Sequence, residues 1–133
     1  MPARYLLDTN TCIAVMRHHQ SAVQHMAAHP PSECGISAIT SYELYTGVEK
    51  CSQPMKERAK VDLLLQTVSL LAFESTSAKE AARIRALLEA QGQPIGPYDW
   101  LLAGQALANS QVLVTANMKE IARVPGLAVE NWQ

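Results

Sequence analysis

Apolar positions in this chain follow two rhythms. Short unbroken runs read as buried strands: Tyr5-Leu6-Leu7 ending at Asp8, Cys34 to Ser37, Val68 to Phe73, Val112 to Thr115, and Leu127 to Val129. Between them, apolar residues recur at three- and four-residue intervals, the period of a helix with one buried face. Thr9 or Asn10 is the expected cap of a first helix through Cys12, Ile13, Val15 and Met16. Ser21 is the expected cap of a second, which Pro30-Pro31 stops. Further helices are predicted from Ala38 to Glu49 and from Met55 to Gln66. Ser77-Ala78-Lys79-Glu80 has the form of a capping box and opens a helix through Ala81, Ile84 and Leu88, with Gly92 as its stop. Gly96-Pro97 starts another, from Tyr98 to about Asn109. A short helical turn is expected from Met118 to Ala122.

Short apolar strands alternating with helices predict an α/β fold with a parallel sheet covered on both faces. In such sheets, sites form at the carboxyl ends of the strands. At 133 residues the expectation is one domain spanning 1–133. A chain of this size buries roughly two thirds of its unfolded surface, so it needs no staple. Cys12, Cys34 and Cys51 are odd in number and scattered, which fits reduced thiols and a cytoplasmic setting. Neither a signal-peptide pattern nor an apolar run of membrane-spanning length occurs, so no membrane role is expected.

The net charge of −1 counts mildly against a nucleic-acid binder, which is often strongly basic. The picture changes if several acids are neutralised by a cation, because the remaining surface is then net positive. Lys50, Lys56, Arg58 and Lys60 form one basic stretch, Arg83 and Arg85 a second, Lys119 and Arg123 a third. Glu57 and Asp62 interleave with the first, so a solvated mixed-charge helix face is the competing reading.

Four acids lie at strand ends or beside apolar helix stripes: Asp8, Glu43, Asp99 and Glu120. Two carboxylates about 4 Å apart repel by roughly 4 kcal/mol at an effective dielectric of 20. A fold that gathers several of them usually holds a hard cation such as Mg²⁺ or Mn²⁺, which points to metal-assisted phosphoryl chemistry. Each acid also has a plainer role available. Asp8 can cap a helix, and Glu43 can be a solvated glutamate at the edge of the Ile39–Tyr42 stripe. Asp99 can answer a helix dipole, although its helix is apolar almost all round and Ala103 and Ala106 share its face. Asn117 and Glu120 fit a capping box. The conjunction of the four carries the metal reading.

Other chemistries lack their motifs. The chain has neither a glycine-rich dinucleotide loop, nor a phosphate loop, nor a nucleophile elbow. His25 and His29 are four apart, but Met26 stands where a zinc protease needs glutamate.

Four segments in order carry a family resemblance: Leu6-Leu7-Asp8-Thr9-Asn10, Tyr42-Glu43-Leu44, Ile95-Gly96-Pro97-Tyr98-Asp99, and Leu113 through Glu120. They resemble the PIN-domain ribonucleases, and most of all the VapC toxins of bacterial toxin–antitoxin modules. The resemblance implies a three-layer α/β/α sandwich around a parallel sheet of about five strands. It implies an acidic Mg²⁺ or Mn²⁺ site that cleaves RNA, with Asp8, Glu43 and Asp99 as its central triad. Many relatives carry an aspartate where Asn117 stands, and a VapC subgroup uses a glutamate at the position of Glu120. Thr9, Asn10, Thr115 and Asn117 are the expected partners that orient the ligands.

The implied reaction is attack of a metal-activated water on the phosphate, leaving a 5′-phosphate and a 3′-hydroxyl. The implied partners are a cognate VapB-type antitoxin, a second copy of the chain in a homodimer, and an RNA substrate. One VapC subgroup cuts initiator tRNA in its anticodon loop, which makes a tRNA the candidate target. Two other functions stay open: an RNA-processing PIN nuclease that is not a toxin, and a non-catalytic PIN module that only binds.

Overall fold

The structure, a computed structural model, describes residues 3–133. Five strands form one sheet in the order β3-β2-β1-β4-β5: β1 (Tyr5–Leu7), β2 (Cys34–Ser37), β3 (Ser69–Leu71), β4 (Val112–Val114) and β5 (Val129–Glu130). Every pairing is parallel. β1 is central, with Tyr5 beside both Cys34 and Val112. The chain builds the sheet outward from β1 to β3, then crosses back to lay β4 and β5 on its other side. The carboxyl ends of β1 and β4 therefore flank the point where the winding direction reverses, the usual place for a crevice in such sheets.

Alternation along the strands sorts the core into two layers. Tyr5, Leu7, Ile36 and Val114 point to one face. They pack with Cys12 of α1 (Thr9–Met16), Leu44 and Val48 of α3 (Ala38–Lys50), and Val61 and Leu64 of α4 (Pro54–Thr67). α2 (Gln20–Ala27) packs beside α1. Leu6 and Leu113 point to the opposite face. There they meet Ile84 and Leu88 of α5 (Ser75–Ala90), Leu102, Ala103 and Ala106 of α6 (Pro97–Ala108), and Ile121 of α7 (Met118–Ile121). This is the α/β/α sandwich that the sequence pattern and the resemblance imply.

Ala103 and Ala106 are wholly buried in this second layer. A backbone-close helix approach falls one residue from Ala103, at Gly104. A Cβ there would stand 2.5 Å from the backbone nitrogen of Ala81 and 2.6 Å from its Cα. Glycine at this point lets α5 and α6 touch backbone to backbone.

Several element starts differ from expectation. Asp8, not Thr9 or Asn10, caps α1, and His19, not Ser21, caps α2. α5 begins at Ser75, so Ser77 is an interior, buried residue and its capping box does not form. β3 covers only Ser69–Leu71 and is partly exposed, because it is an edge strand and not a central one. The last strand lies at Val129–Glu130, later than the Leu127–Val129 segment.

Candidate active site

Four elements bring the predicted acids to the carboxyl edge of the sheet. Asp8 follows β1 and is buried. Its backbone N–H donates to the Val114 carbonyl at 3.0 Å, which pins it to the end of β4. Its Oδ1 accepts the Thr11 N–H at 2.8 Å. The capping role and the site role thus coexist: the carboxylate holds the start of α1 while the residue lines the cleft.

Glu43 projects from α3 and is half-buried. It is not a freely solvated side chain, because Thr9 Oγ1 donates to its Oε1 at 2.6 Å. Asp99 stands in the first turn of α6, also half-buried. Gly96 caps that helix, and a Cβ there would lie 3.3 Å from Asp99 Oδ2. A side chain at position 96 would press on the carboxylate. Glu120 lies on α7, half-buried.

Asn117 joins the last two acids. Its Nδ2 donates to Asp99 Oδ2 at 3.1 Å and to Glu120 Oε2 at 2.6 Å. The capping box expected over Asn117 and Glu120 does not form, since the Asn117 side chain caps no backbone N–H of α7. Two carboxylates compete for its two amide protons and outweigh a local cap, because charged acceptors make the stronger bonds. Thr115 is buried, and its Oγ1 accepts the Asn117 backbone N–H at 3.0 Å, shaping the turn that presents the amide. Asn10 lines the cleft and is exposed; among the described residues it bonds to none of the acids.

The cleft between these elements has a volume of about 210 Å³. Asp8, Glu43 and Asp99 line it, with Thr9, Asn10 and Tyr98. Glu120 stands outside this lining and connects to it through Asn117. Among the described residues, no three acidic, histidine or cysteine side chains converge into a ready ligand cluster. The acids stand instead in three hydrogen-bonded groups: Asp8 with the Thr11 N–H, Glu43 with Thr9, and Asp99 and Glu120 with Asn117.

The groups nevertheless sense one another electrostatically. Burial pushes the Asp99 carboxyl above its ordinary range. The Asn117 hydrogen bond opposes this, while the charges of Asp8, Glu120 and Glu43 add to it. Cys12 lies beneath the site in α1; burial first, then the Asp8 charge, hold its thiol firmly protonated. The phenol of Tyr98 is also pushed up, by the neighbouring Tyr42 phenol and in smaller part by Glu43. Both tyrosines precede an acid in the chain, yet the sequence reading assigned them no role at the site.

The PIN domain family model matches residues 5–127. The chain belongs to the PIN-domain family. A curated relative, the tRNA(fMet)-specific endonuclease VapC of Salmonella typhimurium, is 35% identical over 129 residues, spanning 97% of this chain and 98% of that one. Ribonuclease VapC2 of Rickettsia felis is 34% identical, spanning 96% of this chain and 97% of that one. Among solved structures, DNA-bound VapBC from Salmonella typhimurium contains a chain that superposes with a TM-score of 0.93 at 34% identity, covering 98% of this chain and 99% of that one.

Elsewhere on the PIN domain four basic groups are engaged in ion pairs. Arg58 pairs with Glu49, Lys60 with Glu57, Arg83 with Glu80 and Arg85 with Glu89, all on the surface. The mixed-charge reading therefore holds for these residues. Arg17 and Lys56 pair with no carboxylate among the described residues. Together with Lys60 they line a second cleft of about 400 Å³, which shares Glu43 with the first. His25 and His29 stack on Trp132 at 6.0 and 5.5 Å between ring centroids, a packing role and not a metal pair. No helix among the described residues is long and apolar enough to cross a membrane.

Proposed function

We propose that this chain is a cytoplasmic endoribonuclease that requires Mg²⁺ or Mn²⁺ and acts as the toxin of a VapBC-type toxin–antitoxin module. The observation that supports the reading is geometric: Asp8, Glu43 and Asp99 line one cleft at the carboxyl edge of the sheet, and Asn117 joins Glu120 to Asp99. The relatives named as ribonucleases support the RNA-cleaving class.

The donor set fits a hard dication. Carboxylates, a side-chain amide and hydroxyls offer oxygen ligands, and the buried negative charge is what such an ion relieves. Asp8 and Asp99 would be its principal ligands, with Glu43 and Glu120 completing the shell directly or through water. When bound, the ion supplies charge neutralisation at the scissile phosphate and a water of lowered pKa.

The chain's own residues prepare that chemistry. The Thr11 N–H fixes Asp8, the Thr9 hydroxyl orients Glu43, and the Asn117 amide sets Asp99 against Glu120. Arg17 and Lys56, which pair with no carboxylate among the described residues, line the neighbouring cleft with Glu43, where a phosphate backbone leaving the acids would meet positive charge. A single-stranded loop suits so open a cleft better than a duplex. The name of the Salmonella typhimurium relative makes initiator tRNA the first substrate to try, and the family resemblance makes its anticodon loop the first place to look for a cut.

The partner we assign is a VapB-type antitoxin, because the solved relative is a VapBC complex. An arginine from such a partner could pair bidentately with the cleft acids and silence them. The experiment is incubation of total cellular RNA with the purified chain, with its Asp8→Asn variant and with the chain co-purified with its neighbouring small protein. Site-specific cuts by the free wild type alone support the whole reading. Cuts that persist undiminished in the complex leave a processing nuclease. Equal cutting by Asp8→Asn overturns the assignment of the site.

A further inference from the structure

Tyr42 and Tyr98 are large aromatic side chains left in water at the mouth of the acidic cleft, 58% and 38% exposed. Their ring centroids lie 6.1 Å apart with planes tilted by 54°. Tyr98 lines the cleft itself, immediately before Asp99, and Tyr42 stands at its rim, immediately before Glu43. The pair joins α3 to α6 across the cleft. A purely structural strut there would gain from burying its rings, and these are open to solvent. Stacking faces that adjoin a phosphodiester-cleaving centre match the way proteins take up unstacked nucleotides: aromatic planes hold the bases while charge handles the backbone.

We infer that Tyr98 and Tyr42 form a base-stacking platform for the nucleotides flanking the scissile phosphate of single-stranded RNA. This rests on the endoribonuclease reading above and names the subsite that positions its substrate. Tyr98, inside the cleft, takes the base next to the cut. Tyr42, farther out, takes a neighbouring base. Stacking tolerates any base, because every base has an aromatic face.

The test is steady-state cleavage of a single-stranded oligoribonucleotide spanning a mapped cut, and of versions made abasic at each flanking position in turn. Removing an aromatic platform costs about 1–3 kcal/mol per base, roughly a 5- to 150-fold effect. Tyr98→Ala should raise KM on the intact RNA by a factor in that range, with a much smaller change in kcat. Tyr98→Phe should restore it. On the RNA abasic at one flanking position, wild type and Tyr98→Ala should become equal. Tyr42→Ala should show the same pattern at a different position. If both alanine variants match wild type on intact RNA, or if their deficit is the same on every abasic RNA, the platform is refuted while the nuclease assignment stands. Unchanged cleavage together with lost binding of the antitoxin would give the surface to a protein partner instead. If the wild-type chain cuts no RNA, the underlying reading fails first, and the platform falls with it.

Discussion

Asn117 faces two carboxylates at once, and its side chain has only two amide protons to give. Taking them away leaves Asp99 and Glu120 to repel each other without a mediator. Losses at residues that orient metal ligands run to about 10- to 100-fold. Asn117→Ala should therefore cut the cleavage rate by about that factor at subsaturating metal. Its melting temperature should change little, because the residue caps no helix. A metal titration of the cleavage rate, beside a thermal melt, separates the two effects. From its local pattern Asn117-Met118-Lys119-Glu120 fitted a cap as well as a site, because only near neighbours are visible in a linear pattern, and the family resemblance was what placed both residues at the site. Asp99 is eighteen residues upstream of Asn117. Its carboxylate redirects the amide, and no pattern within α7 could show that. Asp8 was legible in both of its roles, since a strand-end aspartate before Thr9-Asn10 can serve a helix and a site together.

At the scale of elements, α6 positions Asp99, and Gly104 positions α6. A methyl group at position 104 would overlap the Ala81 backbone at 2.5–2.6 Å, and backbone cannot swing aside as a flexible side chain can. Overpacking of this kind typically costs about 1–3 kcal/mol. Gly104→Ala should lower stability by at least that much in urea unfolding, and it should weaken cleavage by displacing Asp99. An unchanged midpoint would mean that α5 and α6 are not so closely apposed. The helices and the five strands were readable because their apolar periods differ. The Gly104–Ala81 approach was not, because it pairs two helices whose contact no single-helix pattern encodes. Helix starts were the least legible feature. Ser77 fits a capping box, yet it is buried inside α5, whose cap is Glu74, three residues upstream.

For the molecule as a whole, the site is a concentration of like charge set against the stability of the fold. Asp99 has a raised carboxyl pKa in the folded state, so the folded chain binds this proton more tightly than the unfolded chain does. Stability from this group is highest below the ordinary carboxyl value. It falls as pH rises toward the raised folded value and stays lost above it. In chelating buffer, Asp99→Asn should thus melt at an equal or higher temperature than wild type at neutral pH, with the gap closing as the pH drops into the carboxyl range. A large loss of stability in the variant at neutral pH would make Asp99 a structural residue. The sheet order, with β1 between β2 and β4, places Asp8 and Asn117 at the winding reversal; the sequence showed the alternation of strands and helices but not which strand lies in the middle. The most direct measurement of the central claim is cleavage of an end-labelled RNA by the purified chain after exhaustive chelation, then with Mg²⁺ or Mn²⁺ restored. No cleavage is expected in chelator, with recovery on adding either ion and products ending in 5′-phosphate and 3′-hydroxyl. Full activity in excess chelator, or products ending in a 2′,3′-cyclic phosphate, would contradict the claim.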